Sequence, residues 1–248
     1  MYLSLQLTQK HLKRKNKEEC KVIKEKGDYM LKSEVIANME KIVENCMGEE
    51  TAACVATCPM HTNVKEYVRL IKEGKGKEAI RVIRENLFLP GTLGRICAHP
   101  CEGKCKWNEG KSPMAIASLK RYAADHFDFE DDWNYEIKED NGKKVAIIGA
   151  GPSGLQAALE LRREGCRVTV YEKLGVRGGM MRVGIPAYRL PREVLEREIS
   201  YLDRLGIEFI CDCEIGKDLA FQTLLDDYDS VVVAVGKHQG RVDRRLKN

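Results

Sequence analysis

The stretch from Lys143 to Glu172 constrains the fold more than any other. KKVAIIG is an apolar run short enough for a buried strand; GAGPSG follows, then the helical pattern of SGLQAALELRREG, then RVTVYE, a second strand ending on an acid. A glycine-rich turn between a strand and a helix makes a different demand on each glycine. Gly149 lets the chain turn tightly, Gly151 leaves the backbone bare where a pyrophosphate would approach, and Gly154 lets the helix close on the sheet. Pro152 and Ser153 open the helix, whose unpaired N–H groups and positive dipole end face the same point. Glu172, eighteen residues past Gly154 and followed by Lys173, is placed to accept hydrogen bonds from a ribose. Its charge would repel a 2'-phosphate, so FAD or NAD fits better than NADP, and this unit alone does not choose between those two.

The same rhythm continues. REVLEREISYLDRLG and AFQTLLDDY carry helical periodicity, IEFIC and SVVVAVG read as strands, and four strands alternating with helices predict an α/β, doubly wound, Rossmann-like parallel sheet. Between the second strand and the next helix lies RGGMMRVGIPAYRLPREV. Its Gly178, Gly179 and Gly184 open space near the carboxyl edge of the sheet, and Arg189 offers a cation to an anionic ligand there; an ordered loop without a ligand is the competing reading.

The N-terminal half has a different grammar. LKSEVIANMEKIVENC, NVKEYVRLIKEG, GKGKEAIRVIRENL and SPMAIASLKRYAAD are amphipathic helices, the last with Pro113 near its start, and PGTLG reads as a turn. Six of the ten cysteines fall within sixty residues here: Cys46, Cys54 and Cys58 before Pro59, then Cys97, Cys101 and Cys105 in GRICAHPCEGKC. Clustered thiols in a reducing compartment point to metal, and a proline after a cysteine is common in iron-sulfur loops. Zinc prefers a closer pair and four closing ligands, for which His61 or His99 would be needed. A buried face of structural cysteines is the third reading, and Pro100 and Gly103 speak against the regular helix it requires.

Charge and hydropathy set the boundaries. The net charge of +4 resides in the first thirty residues, a basic arm that reads as a solvated helix or tail more readily than as a nucleic-acid contact. No apolar run approaches the roughly 20 residues of a membrane span, and the N-terminus lacks the order of a secretory signal, so a cytoplasmic protein is expected. Between Asp125 and Gly142 eight acids face one lysine, which reads as a linker. The expected organisation is an arm over 1–30, an α-helical iron-sulfur domain over 31–126, an acidic linker over 127–142 and a dinucleotide-binding domain over 143–248.

Taken in order, ACVATCP, GRICAHPCEGKC, PMAIASLKRYAAD, VAIIGAGPSG, GIPAYRLP and DSVVVAVG make the chain similar to one family. It resembles the N-terminal half of glutamate synthase small subunits, of the corresponding region of dihydropyrimidine dehydrogenase, and of the large subunit of the NADH-dependent ferredoxin:NADP oxidoreductase, from about Cys46 to Gly236. The resemblance implies 4Fe-4S chemistry feeding an FAD held by the GAGPSG unit, with other redox subunits or ferredoxin as partners. It implies interleaved ligand sets, Cys46, Cys54 and Cys105 for one cluster and Cys58, Cys97 and Cys101 for the other. Their fourth ligands would fall at Glu49 and Lys120, so one cluster is expected and a second is open. It also places Gly179, Met180 and Arg189 near the flavin and Ile215 near the adenine. Family members continue into an NAD(P)H domain that these residues lack, so the expectation is an electron-transfer module whose NAD(P)H domain comes from elsewhere. A docking module or a truncated fragment are the alternatives. No acid/base or nucleophile constellation is expected.

Overall fold

The computed structural model describes Cys46 and residues 51–109, 112–129, 133 and 135–237. The chain divides into two compact units, Met1–Ala52 and Ala53–Asn248. In the first only Cys46, helical and half-buried, and Thr51 and Ala52 are described, so the basic arm and most of the helix expected over 31–46 lie outside the described residues.

The second unit begins with helices α1 (Ala53–Thr57), α2 (Val64–Lys72), α3 (Gly76–Asn86), α4 (Pro90–Ile96), α5 (Pro100–Gly103) and α6 (Ile116–Phe127), with a 3-10 turn at Lys106–Glu109. The parallel fold follows as β1 (Lys144–Ile148), α7 (Pro152–Arg163), β2 (Arg167–Tyr171), α8 (Met180–Val183), α9 (Arg192–Arg204), β3 (Glu208–Ile210), α10 (Phe221–Asp227) and β4 (Ser230–Val233). The sheet order is β3-β2-β1-β4, all pairs parallel, with Ile147 opposite Val170 on one side and Val232 on the other. Val145, Ile147, Val168 and Val170 bury one face against Leu155, Leu195 and Ile199; the other face is filled around Ala146, Tyr171 and Leu224. The helical half has its own core of Tyr67, Leu70, Ile80, Ile83, Ile116 and Ala123.

Two expectations need correction. The helix after the cysteines starts at Ile116 with Ala115 as its cap, so Pro113 stands outside it. PGTLG is not a turn but most of α4, with Pro90 at its first position. The reason lies 107 residues away: Glu198 of α9 is fully buried, and its two oxygens accept from Gly91 N at 2.7 Å and Thr92 N at 2.9 Å. A distant carboxylate thus satisfies the open amides of a short helix that local sequence would not sustain.

Burial pushes the Glu198 carboxyl above its usual range, against the pull of the Thr92 and Gly91 amides and of Arg84. The folded state therefore holds this proton more tightly than the unfolded chain does. The group's contribution to stability is full below pH 4.5 and declines as pH rises through the folded value. Glu198→Gln removes that slope and leaves one amide of α4 facing an NH2 group, at a cost of about 1–3 kcal/mol. Urea denaturation across this pH range checks both effects; equal slopes in the two proteins would contradict the assignment.

The acidic linker is stitched down rather than loose. Arg84 of α3 makes a two-pronged pair with Asp128 at 2.7 and 2.6 Å and donates to Phe88 O, while its guanidinium lies 3.5 Å from the centre of the Trp133 ring. Trp133 Nε1 donates to Asp128 Oδ1 at 2.6 Å, and the Tyr201 hydroxyl of α9 donates to Trp133 O. Further on, Lys138 N and Asn141 N donate to Arg163 O and Gly165 O at the end of α7.

Candidate functional site

A cavity of about 710 Å³ opens at the carboxyl ends of β1, β2 and β4. The strand order reverses between β2 and β4 around β1, which is where ligands lie in open α/β sheets. Gly149, Gly151, Pro152, Ser153, Glu172, Lys173, Gly179, Met180 and Ile215 all line it. The glycines do what their spacing implied. Gly149 has φ +109°, and a Cβ there would stand 2.4 Å from Ala234 O; a Cβ on Gly154 would stand 1.9 Å from Gly149 O, so this glycine seats α7 on the turn. Gly151 differs, because a Cβ there would meet nothing closer than Gly179 Cα at 4.0 Å. Gly179, at φ +51°, turns its own backbone against Gly151, where a Cβ would stand 2.8 Å from Gly151 Cα. Two bare backbones thus meet at the mouth of α7, whose first amides are open.

Glu172 is buried at the end of β2, its Oε2 accepting from Ala150 N at 2.8 Å and its Oε1 from Leu174 N at 2.9 Å. It braces the glycine turn while lining the cavity. Arg189 is exposed and is not among the lining residues. The sequence reading missed Cys213, Glu214 and the wall from Val233 to Lys237. The signal for the last was present, since SVVVAVG predicts a strand, but only the sheet order shows that this strand neighbours β1.

The second constellation lies among the short helices. Cys97 leaves α4 in extended backbone, and His99, at φ +41°, reverses the chain into α5 so that its N–H donates to Cys97 Sγ at 3.3 Å. Cys101 is buried on α5 and takes a backbone hydrogen bond from Glu102. Burial first, then the charge of Cys58, push the Cys101 thiol up, while Lys120 pulls it down and Cys97 adds to the rise. α1, which ends just before Cys58, packs against α5, and α6 packs against both α4 and α5, so Cys58, Cys97, Cys101 and Lys120 lie on elements that meet in one region. Cys58 follows α1, donates to Thr62 Oγ1 at 3.8 Å, and precedes a second left-handed histidine, His61 at φ +48°. Tyr67 is buried against the same group, its hydroxyl raised by burial and by Cys101, Cys54 and Cys58.

Cys54 is half-buried on α1 and Cys105 half-buried after α5; Cys46 belongs to the first unit. His99 Nδ1 faces Glu102 Oε2 at 3.2 Å, and Glu102 Oε1 accepts from Ala117 N at 2.8 Å, pinning α5 to the first turn of α6. Among the described residues no group of three or more His, Cys, Asp or Glu side chains is gathered as for a single metal ion. An iron-sulfur cluster spreads its cysteines over several irons and carries its own sulfides between them, which suits thiols that share a neighbourhood without meeting at one point. The backbone hydrogen bonds already directed at Cys97 and Cys101 fit thiolate ligands of that kind. Among the described residues no helix is long and apolar enough to cross a membrane.

Comparison with known proteins bears on both halves of the chain. Residues 20–132 match the family described as dihydropyrimidine dehydrogenase domain II, 4Fe-4S cluster, and residues 147–204 match the NAD(P)-binding Rossmann-like domain. The chain is 40% identical over 219 residues to the NADP(+)-dependent formate dehydrogenase subunit beta of Moorella thermoacetica, covering 76% of this chain and 30% of that protein. It is 38% identical to the NADPH-Fe(3+) oxidoreductase subunit beta of Geobacter sulfurreducens, over 83% of this chain and 30% of the relative. The small chain of glutamate synthase [NADPH] from Escherichia coli is 36% identical over 79% of this chain and 42% of its own length. The chain thus spans between 30% and 42% of the length of these relatives. The helical half matches the 4Fe-4S domain II family of dihydropyrimidine dehydrogenase and the following half a Rossmann-like dinucleotide-binding family, and the chain as a whole is similar to the glutamate synthase small chains and the oxidoreductase beta subunits.

Proposed function

We propose that this chain is an electron-transfer module of an NAD(P)H-linked oxidoreductase, holding FAD in the sheet cavity and at least one 4Fe-4S cluster among its helices. The observation that carries the reading is the presence, in one compact unit, of the Cys58, Cys97 and Cys101 neighbourhood and of a glycine-floored cavity at the sheet's switch point. When bound, a flavin exchanges two-electron for one-electron steps and a cluster carries single electrons.

The chain's own residues supply binding and placement. Gly151 and Gly179 leave their backbone open for the pyrophosphate, the α7 amides donate to it, and Glu172 takes the ribose hydroxyls with the lone pairs its two amide bonds leave free. Ile215 and Met180, the latter half exposed at the start of α8, line the same cavity and would border the adenine and the flavin ring system respectively. Cys58, Cys97 and Cys101 bind one cluster, and the amides of His99 and Glu102 hold two of these sulfurs. Cys54 and Cys105 are ligand candidates for a second. Arg84 of α3, with the linker residues Asp128 and Trp133, ties α3 and the end of α6 to α9, and so holds the helical core that supports the thiols against the dinucleotide fold. Reduced ferredoxin or another redox subunit is the partner, with hydride chemistry supplied by a further NAD(P)H domain, and the compartment is cytoplasmic.

Gly151→Ala tests the flavin site without disturbing the fold. Its Cβ enters ordinary van der Waals space, so the melting temperature stays within error, yet the methyl stands where the pyrophosphate must come. FAD affinity should fall at least about tenfold, roughly 1.4 kcal/mol, by fluorescence titration of the apoprotein. Unchanged affinity in the variant, or no binding by the parent protein, would overturn the FAD assignment.

A further inference from the structure

Lys120 is a buried lysine, 9% exposed, in the middle of α6. Two close approaches fix its position. Gly94, three residues before Cys97, lies so near α6 that a Cβ there would stand 2.9 Å from Arg121 Cα, which sets the α4–α6 crossing beside Lys120. Glu102, next to Cys101, accepts from Ala117 N, one helical turn before Lys120. The helix that carries Lys120 thus packs on α4, which runs into Cys97, and on α5, where Cys101 shares a core with Ile116 and Ala123 of α6. A buried ammonium is costly unless something anionic lies nearby, and the elements packed on this helix are the ones that carry the thiols. Its three N–H bonds are donors and it has no lone pair, so in the charged form it does not bind iron.

We propose that Lys120 is a charge-positioning residue for the cluster bound by Cys58, Cys97 and Cys101, raising that cluster's reduction potential. The inference rests on the cluster assignment above. Three thiolates make the cluster anionic and each added electron makes it more so; a fixed cation in the same dry pocket stabilises the reduced form more than the oxidised one. Reduction adds one electron to the iron-sulfide core, breaks no bond to this chain, and leaves the lysine proton where it is.

The test uses the full chain reconstituted anaerobically with iron and sulfide, counted for both, and titrated with dithionite while the reduced cluster is followed by electron paramagnetic resonance. The relevant signal is the one that Cys101→Ser abolishes. Lys120→Met should shift its one-electron equilibrium at least tenfold toward the oxidised form, a fall of about 59 mV, with Lys120→Arg within twofold of the parent. Loss of iron in Lys120→Met with retention in Lys120→Arg also supports a role for charge. An unchanged potential in Lys120→Met, or loss of iron from both variants, overturns the inference while leaving the cluster in place. A parent chain that takes up no iron and sulfide overturns the cluster assignment and this inference with it.

Discussion

Chains in which Cys101 is replaced by Ser should lose one cluster's full complement of iron and sulfide and the visible absorbance that goes with it. Cys101 sits at the centre of its group: buried on α5, given a backbone hydrogen bond by Glu102, and acted on by Cys58, Cys97 and Lys120. Serine fits the space but offers iron a harder oxygen whose proton is far less readily lost than a thiol's. Glu102 still pins α5 to the first turn of α6 through Ala117 N, so the fold is expected to survive the change. Cys211→Ser, at a site beyond β3 and outside the thiol group, is the control and should leave both counts intact. Equal iron in the parent and in Cys101→Ser would remove Cys101 from the ligand set.

The largest effect on stability should come from the linker. Asp128→Ala strands Arg84, whose guanidinium is 7% exposed and which keeps its charge because Asp128 more than offsets the cost of burial. Breaking a buried pair from one side costs about 3–5 kcal/mol, since the remaining charge has neither water nor a partner. Trp133 Nε1 also loses its acceptor. Replacing both members, Arg84→Met with Asp128→Leu, should restore most of the loss, because it removes the stranded charge as well as the attraction. Urea titrations of the parent, of Asp128→Ala and of the double variant decide the matter; Asp128→Ala within about 1 kcal/mol of the parent would show that the pair is not isolated from water.

Much of this architecture is legible in the sequence, and the exceptions share a cause. GAGPSG could be read because each glycine answers a local need, and the structure meets those needs with φ +109° at Gly149 and with the contact of Gly154 on the preceding turn. The strands from Lys144 to Val233 and the longer helices announced themselves through period, which is also a local property. What was missed is long-range. PGTLG became a helix because Glu198 caps it, and no window around residue 90 contains that carboxylate. Trp133 falls within the stretch whose acids mark it as a linker, and its partners Arg84 and Tyr201 lie far from it in either direction. In the candidate site the cysteines were visible as a set. Which of them stand together depends on α1, α4 and α5 converging, and the role of Lys120 depends on its burial, which a polar letter in an amphipathic helix does not reveal.

The capping of α4 by Glu198 also bears on the order in which the molecule is assembled. Segments more than a hundred residues apart must meet before that helix has its amides satisfied, and contacts so distant along the chain form late because they close the largest loops. The loop carrying Cys97 hangs from the end of this helix. A nascent chain therefore exposes an unfinished thiol site until the second half of the dinucleotide fold has been synthesised and docked. Loading with iron and sulfide belongs after that docking, and an excised helical half would lack the clasp that shapes its own ligand loop.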